Sequence, residues 1–359
     1  MPALYEPDLV MRMEDVESMV VMANADANPF VGLVKNGKKT TNKLFSWGAD
    51  EDPDVPVTDY ADGVEQTDFV SEQPDRLYGM TQEMREGFAV GRQAEAESTF
   101  TKHNDPVVQK KKALKRLYRQ LEVASCSAQE QRDATSSLGS RMRGAFAALA
   151  AYGSGTQVFL PFPESMACTA AQLYTGATGD FDDDALERML VEIASRQKES
   201  TEFVLLCGIQ LKRAMSNWVK RDASASGAYN VSIRKPNEQF IVDNVVDVFK
   251  MDGGTVRSMV SYNLMLNTAT GAASAQTPWA GLLIQPNYWK FRELFGLELK
   301  EIEDKGQGKS GFYRIMKGLQ CSMPRRNGYI LPTVADGSSG GSSGASSGGS
   351  SGASSSASA

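Results

Sequence analysis

Residues 44–101 form a long stretch with an irregular apolar pattern, and they come before the first long helix that the sequence predicts. Connections longer than about 12–15 residues without secondary structure are uncommon inside a compact domain. The stretch is accounted for if it is a hairpin that reaches onto a neighbouring molecule. We therefore expect this chain to find part of its buried surface outside its own core.

The length of the chain supports the same expectation. Of its 359 residues, the last 23, from Gly337 onward, are only Gly, Ser and Ala, and we expect them to be a flexible coil outside the fold. A single hydrophobic core seldom grows beyond about 250–300 residues. The remainder is therefore predicted to form one domain with a smaller second one, or a domain with long excursions that lie on something else.

Composition argues against several classes of protein. No apolar run approaches the roughly 18 residues of a membrane helix, and the first residues lack the basic start and apolar stretch of a signal peptide. The four cysteines lie at least 39 residues apart without a C-x-x-C pair. This spacing suits a reducing compartment better than a disulfide framework or a zinc site. We expect no membrane partner and no export by the signal-peptide route.

Charge is separated along the chain. Residues 50–75 hold ten carboxylates and no Lys or Arg, whereas residues 102–121 hold seven cationic side chains and one acid, Asp105. Separation on this scale is evidence about partners rather than about fold. Two interpretations stay open: two segments that attract each other between molecules, or two solvated faces that never meet.

Three helices are predicted from apolar spacing. The first begins at Asp105-Pro106 and runs to about residue 130, because an Asp cap and a Pro at the first helical position favour a helix start. Its apolar stripe lies opposite the cations and consists of Val107, Leu114, Leu117, Tyr118, Leu121, Ala124 and Ala128. The second covers 181–197, where three aspartates suit the positive end of the helix dipole. The third covers 210–220.

Strands are predicted from apolar runs bounded by turn residues. They cover 202–207, 240–249, 255–261, 279–285, 313–323 and 329–331. The turn at Asp252-Gly253-Gly254 should pair the second with the third, and Asn327-Gly328 is a favoured two-residue hairpin turn. A further helix should begin at Pro286 and end at Gly296, with Tyr288, Phe291 and Phe295 on one face. The order of elements gives an α+β fold class.

Few groups in the sequence suit catalysis. His103 is the only histidine, which argues against histidine triads and multi-histidine metal sites. GQGKSG at 306–311 contains a Gly-Lys-Ser triplet, but Glu303 stands where a phosphate-binding loop needs its first Gly, and a strand rather than a helix should follow. We predict no catalytic residue, no cofactor and no metal site. The cations of 110–119 could instead contact nucleic-acid phosphates or an acidic protein surface.

Several motifs occur in a characteristic order. They are Asn28-Pro29-Phe30, a Gly-Lys-rich turn at 37–40, an aromatic strand at 45–47, the Lys- and Leu-rich helix QKKKALKRLYRQLEVA, Arg141-x-x-Gly144, the helix pattern at 184–193, the strand and Lys-bearing helix at 203–212, the hairpin at 245–265 and LIQPNYWKFRELF. In number and order these motifs resemble the major capsid proteins of tailed bacteriophages, which have the Hong Kong 97-like fold. The resemblance covers roughly residues 20 to 333.

The resemblance implies a division of the chain. It gives an N-terminal arm (1–43), an extended loop (44–101), a long spine helix with the start of the peripheral domain (102–150), a connection (151–180), an axial domain (181–303), return strands of the peripheral domain (304–335) and the tail (336–359).

The resemblance also implies a function. The chain would be a structural protein rather than an enzyme, and would assemble as hexamers and pentamers into an icosahedral shell around a double-stranded DNA genome, which it contacts without sequence specificity. Separate scaffolding, portal and cement proteins would be its other partners. Its location would be the virion capsid, and the host cytoplasm during assembly.

Contact candidates follow from the resemblance. Phe30, Val31 and Leu33 would anchor the arm on an adjacent subunit, and Trp47 would lie at the start of the extended loop. The acidic span 50–75 would cross the basic helix of the neighbouring subunit. The candidates on that helix, for a neighbouring subunit or for DNA, are Lys110, Lys111, Lys112, Lys115, Arg116 and Arg119.

Two alternatives belong to other functional classes. An encapsulin-like nanocompartment shell would share the fold and package an enzyme instead of a genome. A phosphoryl-transfer enzyme built on 306–310 would bind nucleotide and would lose that binding on Lys309→Ala.

Overall fold

A computed structural model describes residues 28–50, 73–93, 106–150, 161–163, 166–178, 180–197, 201–221, 247–268, 277–302 and 308–333, together with 59, 62, 63 and 65. The helices in these ranges are α1 (Pro29–Leu33), α2 (Pro106–Ser125), α3 (Ala145–Leu149), α4 (Asp183–Gln197) and α5 (Ile209–Arg221). The strands are β1 (Lys35–Asn36), β2 (Leu44–Ala49), β3 (Asp75–Met80), β4 (Gln82–Val90), β5 (Leu173–Tyr174), β6 (Thr201–Cys207), β7 (Val248–Met251), β8 (Gly254–Val260), β9 (Gly281–Ile284), β10 (Trp289–Ile302), β11 (Lys309–Cys321) and β12 (Gly328–Ile330).

The strands form three sheets. A four-stranded sheet has the order β1-β10-β11-β4, a six-stranded sheet has the order β5-β12-β9-β6-β8-β7, and β2 and β3 form a two-stranded sheet. The long antiparallel ladder between β10 and β11 is the centre of the first sheet. The architecture is mixed helix and sheet, as the α+β fold class requires.

The spine helix α2 packs on the four-stranded sheet through its apolar stripe. Leu114, Leu117, Leu121 and Ala124 are buried in one cluster with side chains of β4, β10 and β11. Val107 is 49% exposed and lies in the first turn of the helix. The predicted helix is confirmed, but it ends at Ser125 rather than near 130, because the Ser125 and Ser127 hydroxyls donate to the carbonyls of Leu121 and Ala124 and compete with helical bonding.

The six-stranded sheet is buried on both faces in its centre. Alternate residues of β6 contact different clusters: Phe203 and Leu205 pack with α4 and α5, whereas Leu206 belongs to the cluster around the spine helix. All four residues of β9 are buried in the same way. Burial on both faces accounts for the continuous apolar runs in these strands.

Most predicted elements beyond residue 180 are confirmed with small shifts at their ends. These are α4, α5, β6, β9, β11 and the antiparallel hairpin of β7 and β8. The predicted strand 240–249 lies partly outside the described residues. The strand at 45–47 is confirmed as part of β2, which forms an antiparallel pair with β3.

The predicted helix from Pro286 to Gly296 is wrong. A short turn of 3-10 helix at Pro286–Tyr288 leads into strand β10, which pairs with β11 from Trp289 to Ile302. Trp289 and Phe291 alternate as strand residues and are buried on one face, while Phe295 is half-buried under the Arg314 guanidinium. The spacing of the aromatic residues fits both a helical and a strand period. Pairing with the long strand β11 stabilises the extended conformation.

The predicted hairpin turn at Asn327-Gly328 is also wrong. Asn327 has a φ of −133°, whereas a type I′ turn needs positive φ at both central residues. β12 pairs with β5 and β9 of the six-stranded sheet instead of with β11. Asn327 is fully buried, and its side-chain oxygen accepts hydrogen bonds from the Gln285 N–H and the Trp289 indole at 2.9 Å each. It therefore joins the two sheets.

Several predictions fall outside the described residues. They concern most of the acidic span 50–75, His103, the larger part of the connection 151–180 and the tail from Gly337. The division into domains stays a prediction, and its boundary at 303 separates two strands that pair with each other.

Candidate inter-subunit surface

The short helix α1 is held on the spine helix by a carboxylate. Its first position is Pro29, which suits a helix start, but the Asn28 side chain makes no capping bond. The two oxygens of Glu122 accept hydrogen bonds instead, from the N–H of Phe30 at 3.0 Å and of Val31 at 2.8 Å. Glu122 thus does for α1 what an N-cap side chain ordinarily does.

Glu122 is fully buried, with 0% of its surface exposed. Burial raises the pKa of its carboxyl group from 4.5 to about 7, and the N–H groups of Val31 and Phe30 and the Cys126 thiol oppose the rise. None of the described ion pairs involves Glu122. A buried carboxylate without a cation is costly when ionised, and this cost is the cause of the raised pKa.

Phe30 contacts its own chain. Its ring lies 5.8 Å from the ring of Trp289 and 6.3 Å from that of Phe291, in edge-to-face geometry, and it has 0% exposure. A side chain with no exposed surface has nothing to offer a neighbour. We therefore no longer expect Phe30 to anchor the arm on an adjacent subunit; it anchors α1 on the four-stranded sheet.

Val31 and Leu33 differ from Phe30 in burial. Both are half-buried and pack at the edge of the main core. Each keeps surface that a second molecule could cover. Their predicted role in contacts between subunits stays a prediction.

Trp47 is half-buried and lies in the middle of the ladder between β2 and β3, opposite Leu77. Its ring stacks on Phe45 at 5.7 Å and meets Phe162 edge-on at 6.1 Å. Its indole N–H is buried and has no hydrogen-bond partner among the described residues. Much of the Trp47 side chain packs against its own chain. Only its exposed surface is therefore a candidate for contact with another subunit.

Two of the cations on α2 are paired with acids of their own sheet. Lys110 Nζ lies 2.5 Å from the Glu301 carboxylate on β10, and this contact lowers the pKa of Glu301. Arg116 lies 3.5 Å from the Glu86 carboxylate on β4 and donates to the Gly87 carbonyl at 3.2 Å. These two cations therefore form ion pairs with acids of β10 and β4, and not with acids of the span 50–75.

The other candidate cations lie further out on the helix. Lys115 and Arg119 are exposed and belong to none of the described ion pairs, whereas Lys111 and Lys112 are half-buried. Lys115 and Arg119 are one helical turn apart and lie on the side away from the buried stripe. They form the part of the predicted cationic surface most available to a partner, and we call these two residues the outer cation pair.

The Gly-Lys-Ser triplet at 308–310 does not have the structure of a phosphate-binding loop. Lys309 begins a β-strand, and Gly308 has a φ of +109° in the turn before it, so no helix follows the Gly-Lys-Ser triplet as a phosphate-binding loop requires. Within the described ranges, no group of three or more His, Cys, Asp or Glu side chains is placed to hold a metal ion. None of the described helices is long and apolar enough to cross a membrane.

Glu122 was not predicted from the sequence as a site residue. A signal was present: the carboxylate stands in the apolar end of α2, between Leu121 and Val123. The positions four residues away are Tyr118 and Cys126, and the cation three residues earlier, Arg119, is exposed and belongs to none of the described ion pairs. An acid in such a place needs a partner from elsewhere in the fold.

Comparison with known proteins identifies the family. The family model described as "SU10 major capsid protein" matches residues 5–333. No curated protein matches the sequence. The structural neighbours include chains of phage capsids and of an encapsulin complex, at sequence identities that show the fold alone.

Three solved structures illustrate the fold. A chain from "Capsid of native GTA particle computed with C5 symmetry" has a TM-score of 0.52 and 14% identity, covering 86% of this chain and 90% of its own. A chain from Mycobacterium phage Bobi has a TM-score of 0.50 and 10% identity, covering 85% and 90%. One from the capsid of Cyanophage P-SCSP1u has a TM-score of 0.50 and 12% identity, covering 84% and 86%. With the family model matching nearly the whole chain, this protein belongs to the SU10 major capsid protein family and has the Hong Kong 97-like capsid fold of tailed bacteriophages.

Proposed function

We propose that copies of this chain assemble as hexamers and pentamers into an icosahedral shell that encloses a double-stranded DNA genome. The observation that carries the proposal is the family match over residues 5–333. Self-assembly into a capsid is the role of the family. Its location is the virion capsid, reached from the host cytoplasm, and separate scaffolding, portal and cement proteins complete the proposed set of partners.

The arrangement of charge supports a specific contact between subunits. Lys115 and Arg119 are exposed on the spine helix, and the acidic span 50–75 follows strand β2 of the hairpin. We assign the acidic span of one subunit to the outer cation pair of the next. Single exposed pairs contribute about 0–1 kcal/mol each, but every subunit of a shell repeats them. Phosphates of packaged DNA are the second partner that this surface could take.

The packaged molecule separates this function from that of a nanocompartment. Particles purified from the natural source and treated with nuclease should retain double-stranded DNA, because a closed shell excludes the enzyme. The DNA is measured after the particles are opened, and the treated outer solution is the control. Particles that hold a single enzyme and no protected DNA would favour the encapsulin-like alternative.

A further inference from the structure

We propose that a group of cations on the face of the four-stranded sheet opposite the spine helix binds the phosphate backbone of double-stranded DNA, without sequence specificity. We call this group the basic sheet patch, and it consists of Lys35, Lys38, Lys290 and Arg292. The inference rests on the proposed function, because the DNA is the packaged genome, and it names the surface of the subunit that the genome contacts.

The register of two strands brings the patch together. Lys35 of β1 and Lys290 of β10 are partners in a parallel ladder, so their side chains lie on the same face of the sheet on strands about 4.8 Å apart. Arg292 follows Lys290 by two residues and therefore shares that face. Its guanidinium donates to the Lys38 carbonyl at 3.3 Å, which holds the turn after β1 beside the patch.

No acid neutralises the patch within the described part of the chain. Its three lysines are exposed and Arg292 is half-buried, and none of the four belongs to a described ion pair. The second described acceptor for Arg292 is also uncharged, since Nε donates to the Gln320 side-chain oxygen at 2.6 Å. Like charges side by side on neighbouring strands repel each other. A polyanion bound across the patch relieves this repulsion.

The other end of the same face shows a different arrangement. Arg85 of β4 and Arg314 of β11 are also partners in a ladder, but each has its own acid: Glu83 lies 2.7 Å from Arg85, and Glu298 lies 2.6 Å from Arg314. Arg314 shares the face of the patch, because it lies four residues before Gly318, which pairs with the patch in β10. Opposed cations on this face are therefore neutralised inside the chain at one end and left to an outside anion at the other.

The patch and the cations of the spine helix lie on opposite sides of the sheet. Phe291, between the two patch residues of β10, packs on Phe30 of α1, which Glu122 of the spine helix holds in place. The patch therefore points away from the spine helix. A closed shell turns only one of these sides towards its interior. Because the outer cation pair is assigned to a neighbouring subunit, the patch is the basic surface left for the genome.

The salt dependence of DNA binding by the full-length, unassembled chain tests the patch. Binding to a short fluorescent duplex is measured by anisotropy between about 0.05 and 0.2 M salt, where log K falls by about 0.9 per neutralised phosphate for each decade of salt. Four cations predict a slope of about −3.6. Lys35→Ala/Lys290→Ala should make the slope shallower by about 1.8 and weaken binding roughly 60-fold at 0.1 M salt, because counterion release from two phosphates is lost.

Two variants with the same loss of charge are the controls. Lys115→Ala/Arg119→Ala removes the outer cation pair, and Arg188→Ala/Lys250→Ala removes cations from α4 and β7. All of the replaced residues are exposed, so the variants should fold like the wild type. Both controls should keep the wild-type slope.

Three outcomes would overturn the proposal: a wild-type chain that does not bind the duplex, a patch variant with the wild-type slope, or an equal loss of slope in either control. None of them would bear on whether particles contain nuclease-protected DNA, so a failure of the patch is distinguishable from a failure of the proposed function.

Chemical labelling of particles separates DNA from a neighbouring subunit as the molecule that covers the patch. A small amine-acylating reagent is applied to DNA-filled particles and to particles emptied of DNA, and the modified lysines are identified by mass spectrometry. Lys35 and Lys290 should react in emptied particles and lose this reaction in filled ones. Protection in both kinds of particle would assign the patch to a contact between subunits, and reaction in both would leave it in solvent; either result contradicts the proposal.

Discussion

Subunits in which Lys115 and Arg119 are both replaced by Glu are expected to fold normally and to form few or no closed shells at low ionic strength. Both side chains are exposed on the outer side of the spine helix, so their replacement should change the free energy of subunit unfolding by less than about 0.5 kcal/mol. The loss should therefore appear in assembly and not in folding.

The expected loss of assembly is large because the same contact is repeated in every subunit of the shell. Each subunit contact loses about 0–1 kcal/mol for each attractive pair and gains a repulsion of similar size against the acidic span 50–75. A total of about 2 kcal/mol per contact weakens association by roughly thirtyfold. Every subunit of a closed shell carries this penalty. Raising the salt from about 0.1 M to 1 M shortens the screening length from about 10 Å to 3 Å and should restore part of the assembly.

A matched variant separates the position of the charges from their number. Arg188 and Lys250 are exposed on α4 and β7, and their replacement by Glu makes the same change in net charge away from the spine helix. Particle yield of both double variants is measured by sedimentation at two salt concentrations. Equal yields for wild type and Lys115→Glu/Arg119→Glu would contradict the proposed contact, as would an equal loss in the matched variant.

Phe30→Ala is expected to lower the free energy of unfolding of the unassembled subunit by about 3–5 kcal/mol. Phe30 has 0% exposure and closes the aromatic contact with Trp289 and Phe291, so truncation leaves a cavity in the main core. Val31→Ala, in the next and half-buried position, is the matched control and should cost about 1 kcal/mol.

Denaturant unfolding of the unassembled chain distinguishes the two roles that Phe30 could have. A residue that anchored the arm on a neighbour would leave the isolated subunit as stable as the wild type and would affect only assembly. The structure places its ring inside its own chain, so the loss should be present before any assembly. An unfolding midpoint unchanged from wild type would contradict this placement.

The helices were accessible from sequence because their information is local. In α2 the residues Leu114, Leu117 and Leu121 recur at helical spacing, and in α4 the three aspartates of 182–184 mark the start. The predicted stripe of α2 is buried at Leu114, Leu117, Leu121 and Ala124, whereas Tyr118 is half-buried and Val107 and Ala128 are exposed. The shift in the end of α2 comes from serine hydroxyls that bond backbone carbonyls, which no apolar pattern records.

The long strand β10 was not accessible in the same way. Tyr288, Phe291 and Phe295 satisfy a helical period, while Trp289 and Phe291 satisfy a strand period. The choice is made by β11, which pairs with β10 from Trp289 to Ile302. Asn327 shows the same limit, since its preference for a turn is outweighed by two buried hydrogen bonds to distant parts of the chain.

The sequence predicted the candidate surface as a set of cationic and apolar residues. The structure separates the residues that already contact their own chain from those that remain exposed. Lys110 and Arg116 meet acids of their own sheet, and Phe30 meets its own core. Lys115 and Arg119 remain exposed. Sequence indicates that a helix is basic, but which cations are already paired depends on β4 and β10, which are far away in the chain.

Electron microscopy of the purified chain, with sedimentation over a range of protein and salt concentrations, tests most directly whether this subunit completes its burial with copies of itself. We predict closed polyhedral shells of uniform size, or the hexamers and pentamers that build them. A compact, stable monomer under every condition, with the segment before the spine helix packed on its own body, would contradict the account.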